Sequence, residues 1–200
     1  MPAHATVDVE GVVTRVDALV PGDRVLTKGP SGLEYSTVEL FAHADGGAAA
    51  TFSRLSTASG RALEVTRGHY VPTRRGVVEA KDAVVGDEVE VLDTNGTLAY
   101  SAIVRVESLR RPGLFAPLTK RGLVVVDGIV ASEYSRGLLG GVLGKRAPKD
   151  AQALYETVAH YALARLPTRV VRAAGAAATR GGFAMASPTA FFRALAVSPY

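Results

Sequence analysis

The chain has 200 residues, of which 48% are hydrophobic and 21% are charged, so it can bury a sizeable core and is not disordered throughout. It contains no cysteine, which excludes disulfides, thiolate metal sites and a cysteine nucleophile from these residues and leaves the redox compartment open. No apolar run approaches the roughly 20 residues of a membrane-spanning helix. The first eleven residues lack the basic and apolar regions of a signal peptide, and we expect none.

The net charge of +4 is unevenly distributed along the chain. Residues 1–100 carry nine Lys/Arg against fourteen Asp/Glu, a balance of −5, and residues 101–200 carry fourteen against five, a balance of +9. A basic second half could contact an acidic membrane surface, but the simpler interpretation is a solvated, arginine-rich face. No RNA-binding motif or aromatic platform accompanies the charge, so we expect no nucleic-acid partner.

Up to about residue 133 the pattern is that of short β-strands separated by turns. Short alternating or apolar runs are bounded by Gly-rich turns, and residues 58–60 and Asn95-Gly96 are typical of hairpin loops. The predicted extended segments are Thr6–Val9, 25–26, 35–41, 51–56, 61–66, 89–92, 99–106 and Leu123–Val126. Strands this short and this regularly spaced predict an all-β body rather than βαβ units.

Two segments, residues 20–38 and 84–103, resemble copies of one unit. Asp23 corresponds to Asp87 at an offset of 64, and Tyr35 to Tyr100 at an offset of 65, with one extra residue in the second turn. Two copies are too few for a solenoid, so the repeat predicts one domain with pseudo-twofold symmetry. We interpret both aspartates as residues that shape turns.

After Tyr134 the pattern changes. Residues 137–144 form an apolar, Gly-rich connector, and Asp150 is a good N-cap for apolar residues at helical spacing up to Leu166. Residues 173–182 resemble a linker, and Ser187-Pro188 begins a second helix-like stretch. We therefore place a β domain at 1–136 and a short helical appendage at 137–200.

Thr66 and His69 lie between the two copies, three residues apart at the end of a predicted strand. A threonine three positions before a histidine is a weak signal, and a packed hydrogen-bonded pair without function is the alternative. The pair is nevertheless the best candidate for catalysis because of its place between the repeats.

His4 and His160 are interpreted as structural or exposed, and no usual ligand spacing supports a metal site from His4, His43 and His69. We therefore expect no metal and no cofactor.

The order and spacing of these motifs resemble the Hint fold of inteins and, more closely, of hedgehog C-terminal autoprocessing (Hog) domains. The resemblance covers residues 2–166, and its motifs are specific together but not singly. The matching segments are Gly22-Asp23-Arg24-Val25-Leu26, Tyr35-Ser36, Leu40-Phe41, Thr66-Arg67-Gly68-His69, Ala116-Pro117-Leu118-Thr119, Val124-Val125-Val126-Asp127 and Ala131-Ser132-Glu133-Tyr134.

The resemblance implies an intramolecular reaction upon the chain's own N-terminal leader segment. In that family the first residue is a cysteine that attacks the preceding carbonyl, and a second nucleophile, cholesterol in hedgehog proteins, cleaves the thioester. His69 would protonate the departing nitrogen and Thr66 would orient the peptide. The resemblance also implies the secretory pathway or the extracellular space, although the sequence leaves the compartment unknown, and we expect a monomer.

The chain departs from the family pattern at three positions. Met1 takes the place of the phenylalanine that follows the family's cysteine, so the nucleophile falls one residue before the chain begins, and Met has no thiolate to offer. His43 stands where hedgehog proteins carry an Asp thought to activate the sterol, which favours water or another small acceptor; Asp45 could substitute in a shifted loop. Glu133 takes the place of a second family cysteine.

The resemblance therefore predicts a Hint autoprocessing domain that is inactive as given, through truncation or loss of the cysteine. Whether these residues are an enzyme stays open. The alternative is a non-catalytic β module that binds lipid or protein through its basic helical tail. Protein splicing is less favoured, because Val126-Asp127-Gly128 lacks the His-Asn pair that closes an intein.

Overall fold

The computed structural model describes residues 1–135, in which every element except the 3₁₀ turn Val16–Ala18 is a β-strand. The strands are β1 (Thr6–Val9), β2 (Val12–Arg15), β3 (Arg24–Gly29), β4 (Gly32–Thr57), β5 (Ala62–Thr66), β6 (Tyr70–Thr73), β7 (Gly76–Glu79), β8 (Glu88–Leu92), β9 (Leu98–Thr119), β10 (Leu123–Val126) and β11 (Ile129–Ser132). The predicted all-β class is therefore confirmed for these residues.

Nine strands form one antiparallel sheet in the order β2-β1-β3-β10-β11-β8-β9-β4-β5, and β6 pairs with β7 in a separate hairpin. The long strands β4 and β9 pair with each other over most of their lengths, with register shifts such as those between Phe41 and His43 and between Asp45 and Ala49. Such irregularities bend a strand pair and increase its twist. The bent pair consequently reaches β3 at one end and β5 and β8 at the other.

The main core gathers buried side chains from strands throughout the nine-stranded sheet. Alternation along the strands buries one face, and the largest fully buried side chains include Phe52, Leu55, Leu63, Ile103 and Ile129. A smaller apolar cluster of Leu26, Val125 and Val130 lies apart from it. Both copies of the repeat contribute to the main core, through Val25 and Val89.

The repeat is visible in the backbone hydrogen bonds of the first copy. The carboxylate of Asp23 accepts from Val20 N (2.8 Å), and Asp23 N donates to Val20 O (3.2 Å). Gly22 N donates to Val38 O (2.9 Å), and Val38 N donates to Asp23 O (2.8 Å). The aspartate thus closes a turn and fastens it to the following strand.

The second copy repeats the same four bonds. The carboxylate of Asp87 accepts from Val84 N (3.0 Å), and Asp87 N donates to Val84 O (3.1 Å). Gly86 N donates to Ile103 O (2.9 Å), and Ile103 N donates to Asp87 O (2.7 Å). The offsets are 64 for the turn and 65 for the strand, as the sequence predicts, so the predicted pseudo-twofold repeat is confirmed.

Both predicted hairpin loops are present, but the break predicted between residues 41 and 51 is not. Thr57 N donates to Arg61 O (2.9 Å) and Asp93 N donates to Thr97 O (2.8 Å) at the two hairpins. Residues 35–41 and 51–56 belong to a single strand, because the stretch between them pairs with β9 up to Asp45 and again from Ala49, across an irregularity at 46–48. The pairing partner, not the local sequence, keeps this stretch extended.

The predicted boundary near residue 136, the connector and the two C-terminal helices lie outside the described residues. Within residues 1–135 no helix is long and apolar enough to cross a membrane.

Candidate functional site

The N-terminal residue is buried inside the fold. The side chain and backbone of Met1 are 2% exposed, and Met1 belongs to the main apolar core. Its amino group donates to Phe115 O (2.8 Å), and Phe115 N donates back to Met1 O (2.9 Å). A residue pair that exchanges both hydrogen bonds is typical of antiparallel strands, so the N-terminal segment continues the ladder along β9. A further bond from Ala3 N to Pro112 O (3.3 Å) extends this pairing.

This register determines where a residue added before Met1 would lie. If Met1 is opposite Phe115 in an antiparallel pair, a residue placed before Met1 is opposite Ala116. Ala116 pairs on its other edge with His43 of β4. One edge of β9 is therefore occupied by the N-terminal segment and the other by the strand that carries His43.

The short segment between β5 and β6 positions His69 in the interior, where it is 4% exposed. His69 N donates to Thr66 O (2.8 Å), which closes the Thr-x-x-His turn, and Ala80 N donates to His69 O (2.8 Å). The ring nitrogen Nε2 lies 2.6 Å from Ser132 O, and the backbone of His69 forms a bridge with Ser135. The imidazole is thus held by the last described strand, and the backbone of His69 by the residues after it.

Electrostatics connect both histidines to the amino terminus. Burial, and then the positive charge of the amino terminus, lower the pKa of His69 to about 3, although the bond to Ser132 opposes the shift. The same two causes, in the same order, lower the pKa of His43. Burial lowers the pKa of the Met1 amine to about 5. Both imidazoles are therefore neutral at neutral pH, as a proton acceptor must be.

Thr66 is half-buried at the end of β5, opposite Phe52 of β4. It belongs to the same turn as His69, as its spacing predicts. Asp45 does not occupy a place comparable to that of His43. Its carboxylate accepts from Gly47 N (2.9 Å) and Ala48 N (3.0 Å) and shapes the irregular part of β4.

Glu133 is a buried carboxyl group next to the residue that binds the His69 ring. It is 2% exposed, and its carboxylate accepts from Thr119 N (2.7 Å) and Thr119 Oγ1 (2.6 Å). Because Thr119 Oγ1 accepts from Arg121 N (3.0 Å), its hydroxyl proton is free to bond Glu133. Burial raises the pKa of Glu133 to about 7 against the effect of these hydrogen bonds.

Sequence reasoning did not identify Glu64. Its side chain is 4% exposed and lies 2.8 Å from Arg54 Nη1, 3.2 Å from Arg111 Nε and 3.3 Å from His4 Nε2. His4, interpreted as structural or exposed, has 49% of its side chain exposed and reaches this buried carboxylate. The signal in the sequence is a glutamate between two apolar residues, Leu63 and Val65, and the structure buries both of them fully.

His160 lies outside the described residues. Among residues 1–135 no group of three or more His, Cys, Asp or Glu side chains is arranged to hold a metal ion.

Comparisons with known proteins agree with this arrangement. The chain is 37% identical over 132 residues to "Protein hedgehog" of Drosophila virilis. The matched region covers 62% of this chain and 27% of that protein. It is 30% identical over 141 residues to "Protein qua-1" of Caenorhabditis elegans, covering 60% of this chain and 12% of that protein. The chain spans about a quarter of the length of the hedgehog proteins that it matches.

Solved structures share the fold at low sequence identity. A DnaB intein from Synechocystis sp. PCC 6803 superposes with a TM-score of 0.59 at 13% identity, covering 66% of this chain and 96% of the intein. A bacterial intein-like domain from Clostridium thermocellum gives 0.52 at 15% identity, covering 66% of this chain and 96% of that domain. The model of the Hint module family matches residues 1–137. The chain belongs to the Hint module family.

Proposed function

We propose that this domain releases the segment that precedes it in a precursor, by an N–S acyl shift followed by attack of a second nucleophile on the thioester. Membership of the Hint family, with hedgehog and intein relatives, supports autoprocessing as the general class of activity. The single observation that carries the specific reaction is the burial of Met1 against β9, beside the strand with His43 and within electrostatic reach of His69.

The first step requires a thiol ahead of Met1. The sulfur attacks the carbonyl carbon of the residue before it, the C–N bond breaks, and the departing nitrogen takes a proton, which leaves a thioester. The 200 residues contain no cysteine, so they cannot carry out this step alone, and the proposal places the cysteine directly before Met1. The buried register of Met1 along β9 would hold that cysteine in one conformation, and such positioning contributes up to about 7 to 11 kcal/mol to intramolecular reactions.

His69 is suited to move the proton in this step. A carbonyl oxygen only accepts hydrogen bonds, so the 2.6 Å contact with Ser132 O assigns the proton of the neutral ring to Nε2. Nδ1 is then the bare nitrogen that takes the thiol proton and returns it to the leaving amine. Ser132 O also stabilises the imidazolium that forms in between, since it receives the Nε2 proton throughout. Thr66, in the same turn, would orient the peptide.

His43 is the candidate base for the second step. It lies opposite Ala116, is half-buried, and has a pKa below its ordinary value because of burial first and the N-terminal charge second. A neutral imidazole can accept the proton of an attacking water or small alcohol as the thioester C–S bond breaks. We place water or another small nucleophile before a sterol as the acceptor, because a histidine stands where hedgehog proteins have an aspartate.

The test is a precursor in which a leader peptide is followed by one cysteine and then by Met1 of the full chain. Dithiothreitol should release the leader at neutral pH. The mass spectrum should then show the leader without the cysteine and an intact domain that keeps it. The His69→Ala variant should lose at least about 10²-fold in rate, the lower range of general acid–base catalysis. His43→Ala should slow hydrolysis without thiol more than it slows cleavage by thiol.

The matched control has alanine in place of the added cysteine and should stay intact under all conditions. If the cysteine precursor folds but remains uncleaved with thiol present, the proposed reaction is wrong for this domain. Cleavage at an unchanged rate in His69→Ala would remove His69 from the mechanism.

A further inference from the structure

The carboxylate of Glu64 is the point where four parts of the molecule meet. It lies on β5 and contacts Arg54 of β4, Arg111 of β9 and His4 of the N-terminal segment. Burial raises the pKa of Glu64, but the hydrogen bonds from Arg111 and Arg54 outweigh it and the pKa lies below its ordinary value. Glu64 is therefore an anion at neutral pH, in a place where two guanidinium groups and an imidazole converge.

The N-terminal segment enters the fold at this place. His4 is one residue from Ala3, whose nitrogen donates to Pro112 O (3.3 Å), and Arg111 immediately precedes that proline. The contact between His4 and Glu64 and the ladder between Met1 and Phe115 lie at opposite ends of the segment. Between them Ala3 packs on Gly113, where an added Cβ would lie only 2.5 Å from the Cβ of Ala3. The segment is thus fixed at both ends and closely packed in the middle.

We infer that Glu64 is a positioning residue that holds the N-terminal segment on β9 through His4, and thereby keeps the bond before that segment beside His43 and His69. Glu64 does not touch the reacting atoms. It acts on the register of residues 1–3, which decides where the junction lies. This role deepens the proposed autoprocessing reaction and rests on it, because the segment it holds is the product side of the bond to be broken.

Two features favour positioning over a purely structural role. Arg54 and Arg111 suffice to balance the charge of Glu64, so the contact with His4 is not needed to satisfy the buried carboxylate. In addition, the side chain of His4 is 49% exposed and does not belong to the apolar core, so its replacement leaves the core unchanged. Removal of the His4 side chain should therefore alter the placement of the segment far more than the stability of the domain.

The first readout is the single-turnover rate of thiol-induced cleavage in the full-length precursor described above. We expect His4→Ala to slow cleavage about tenfold, because small displacements of reacting groups have effects of this order. His4→Arg should recover most of the rate, since a guanidinium can pair with the same carboxylate. The midpoint of thermal unfolding should stay the same in both variants.

The matched control is Glu90→Gln, which removes a similar partly buried ion pair, with Lys28, away from the N-terminal segment. It should leave the rate unchanged. Glu64→Gln should slow cleavage like His4→Ala, and the double variant should be no slower than Glu64→Gln alone. Equal rates in His4→Ala and the unaltered precursor, or a failure of His4→Arg to recover the rate, would overturn the inference.

The second readout does not depend on cleavage. Hydrogen exchange of the Ala3 and Phe115 amides, which both bond across the junction of the segment and β9, should accelerate about tenfold in His4→Ala while β10 amides stay protected. A precursor that never cleaves but shows this local loss of protection would refute the proposed function and retain the positioning role. Unchanged exchange at both amides would refute the positioning role itself.

Discussion

At the scale of single residues, Glu133 is a carboxyl group that the fold holds almost without water. Burial raises its pKa to about 7 from the ordinary 4.5. Below pH 4.5 the group is protonated in both the folded and unfolded states. Between pH 4.5 and 7 the unfolded chain ionises first, so the folded state loses stability as the pH rises, and above about pH 7 the loss is complete.

The Glu133→Gln variant should therefore become more stable relative to the unaltered protein as the pH rises. The amide resembles the protonated acid, and the relative gain between pH 4 and pH 8 should be on the order of 3 kcal/mol, from about 1.4 kcal/mol per pKa unit. Urea unfolding at the two pH values measures this difference. A variant whose stability relative to the unaltered protein does not change with pH would show that Glu133 ionises freely in the fold.

The sequence predicted some of these residues and not others, for a physical reason. Thr66 and His69 could be singled out by their spacing and by their place between two repeats. Glu64 and Glu133 could not be assigned a partner, because strand alternation predicts which positions face inward but not which distant cations or donors will meet a buried carboxylate there. Arg111 is 47 residues from Glu64, and only the pairing of β4 with both β5 and β9 brings them together.

At the scale of elements, β9 supports the N-terminal segment at a glycine. Gly113 has a φ of +83°, and an added Cβ would lie 2.7 Å from the backbone nitrogen of Ala3 and 2.5 Å from its Cβ. Gly60, in the hairpin before β5, has a nearly equal φ of +81° with open space around its Cβ position. The two glycines therefore separate the cost of backbone conformation from the cost of contact.

Gly60→Ala should destabilise the fold by about 1 to 2 kcal/mol, the cost of a left-handed conformation for an L-residue. Gly113→Ala carries the same cost and adds about 1 to 3 kcal/mol, because Ala3 must move away from β9. Urea unfolding of the two variants gives the difference, and in the precursor only Gly113→Ala should also slow cleavage. Equal destabilisation by the two substitutions would mean that the N-terminal segment has room to adjust.

The turns at this scale were predictable, whereas the long strands were not. Asp23 and Asp87 mark their turns by side chains that bond the local backbone, a property of the sequence itself. The middle of β4 is rich in Ala and Gly, which have low strand propensity, and pairing with β9 on both sides of residues 46–48 keeps it within one strand. Local sequence does not specify such a distant partner.

At the scale of the whole molecule, the core of residues 1–135 draws on both repeats and on the strand that follows them. The last strand to enter it is β11, whose four residues are all buried and which pairs with β10 and with β8 of the second repeat. Ser132 and Ser135 then hold His69. The fold and the candidate site therefore use the same final residues of the described β domain.

A fragment of residues 1–136 should consequently fold by itself, with a thermal midpoint within about 5 °C of the full chain, a shift that corresponds to roughly 1 kcal/mol for a domain of this size. Circular dichroism should show β-structure, and the precursor form of the fragment should cleave at the rate of the full chain. A fragment that ends at residue 128 is the matched control. It lacks Ile129 and Val130, both fully buried, and should not fold. If the 1–136 fragment unfolds like the control, residues 137–200 contribute to the stability of the β domain, and the boundary proposed near residue 136 is wrong.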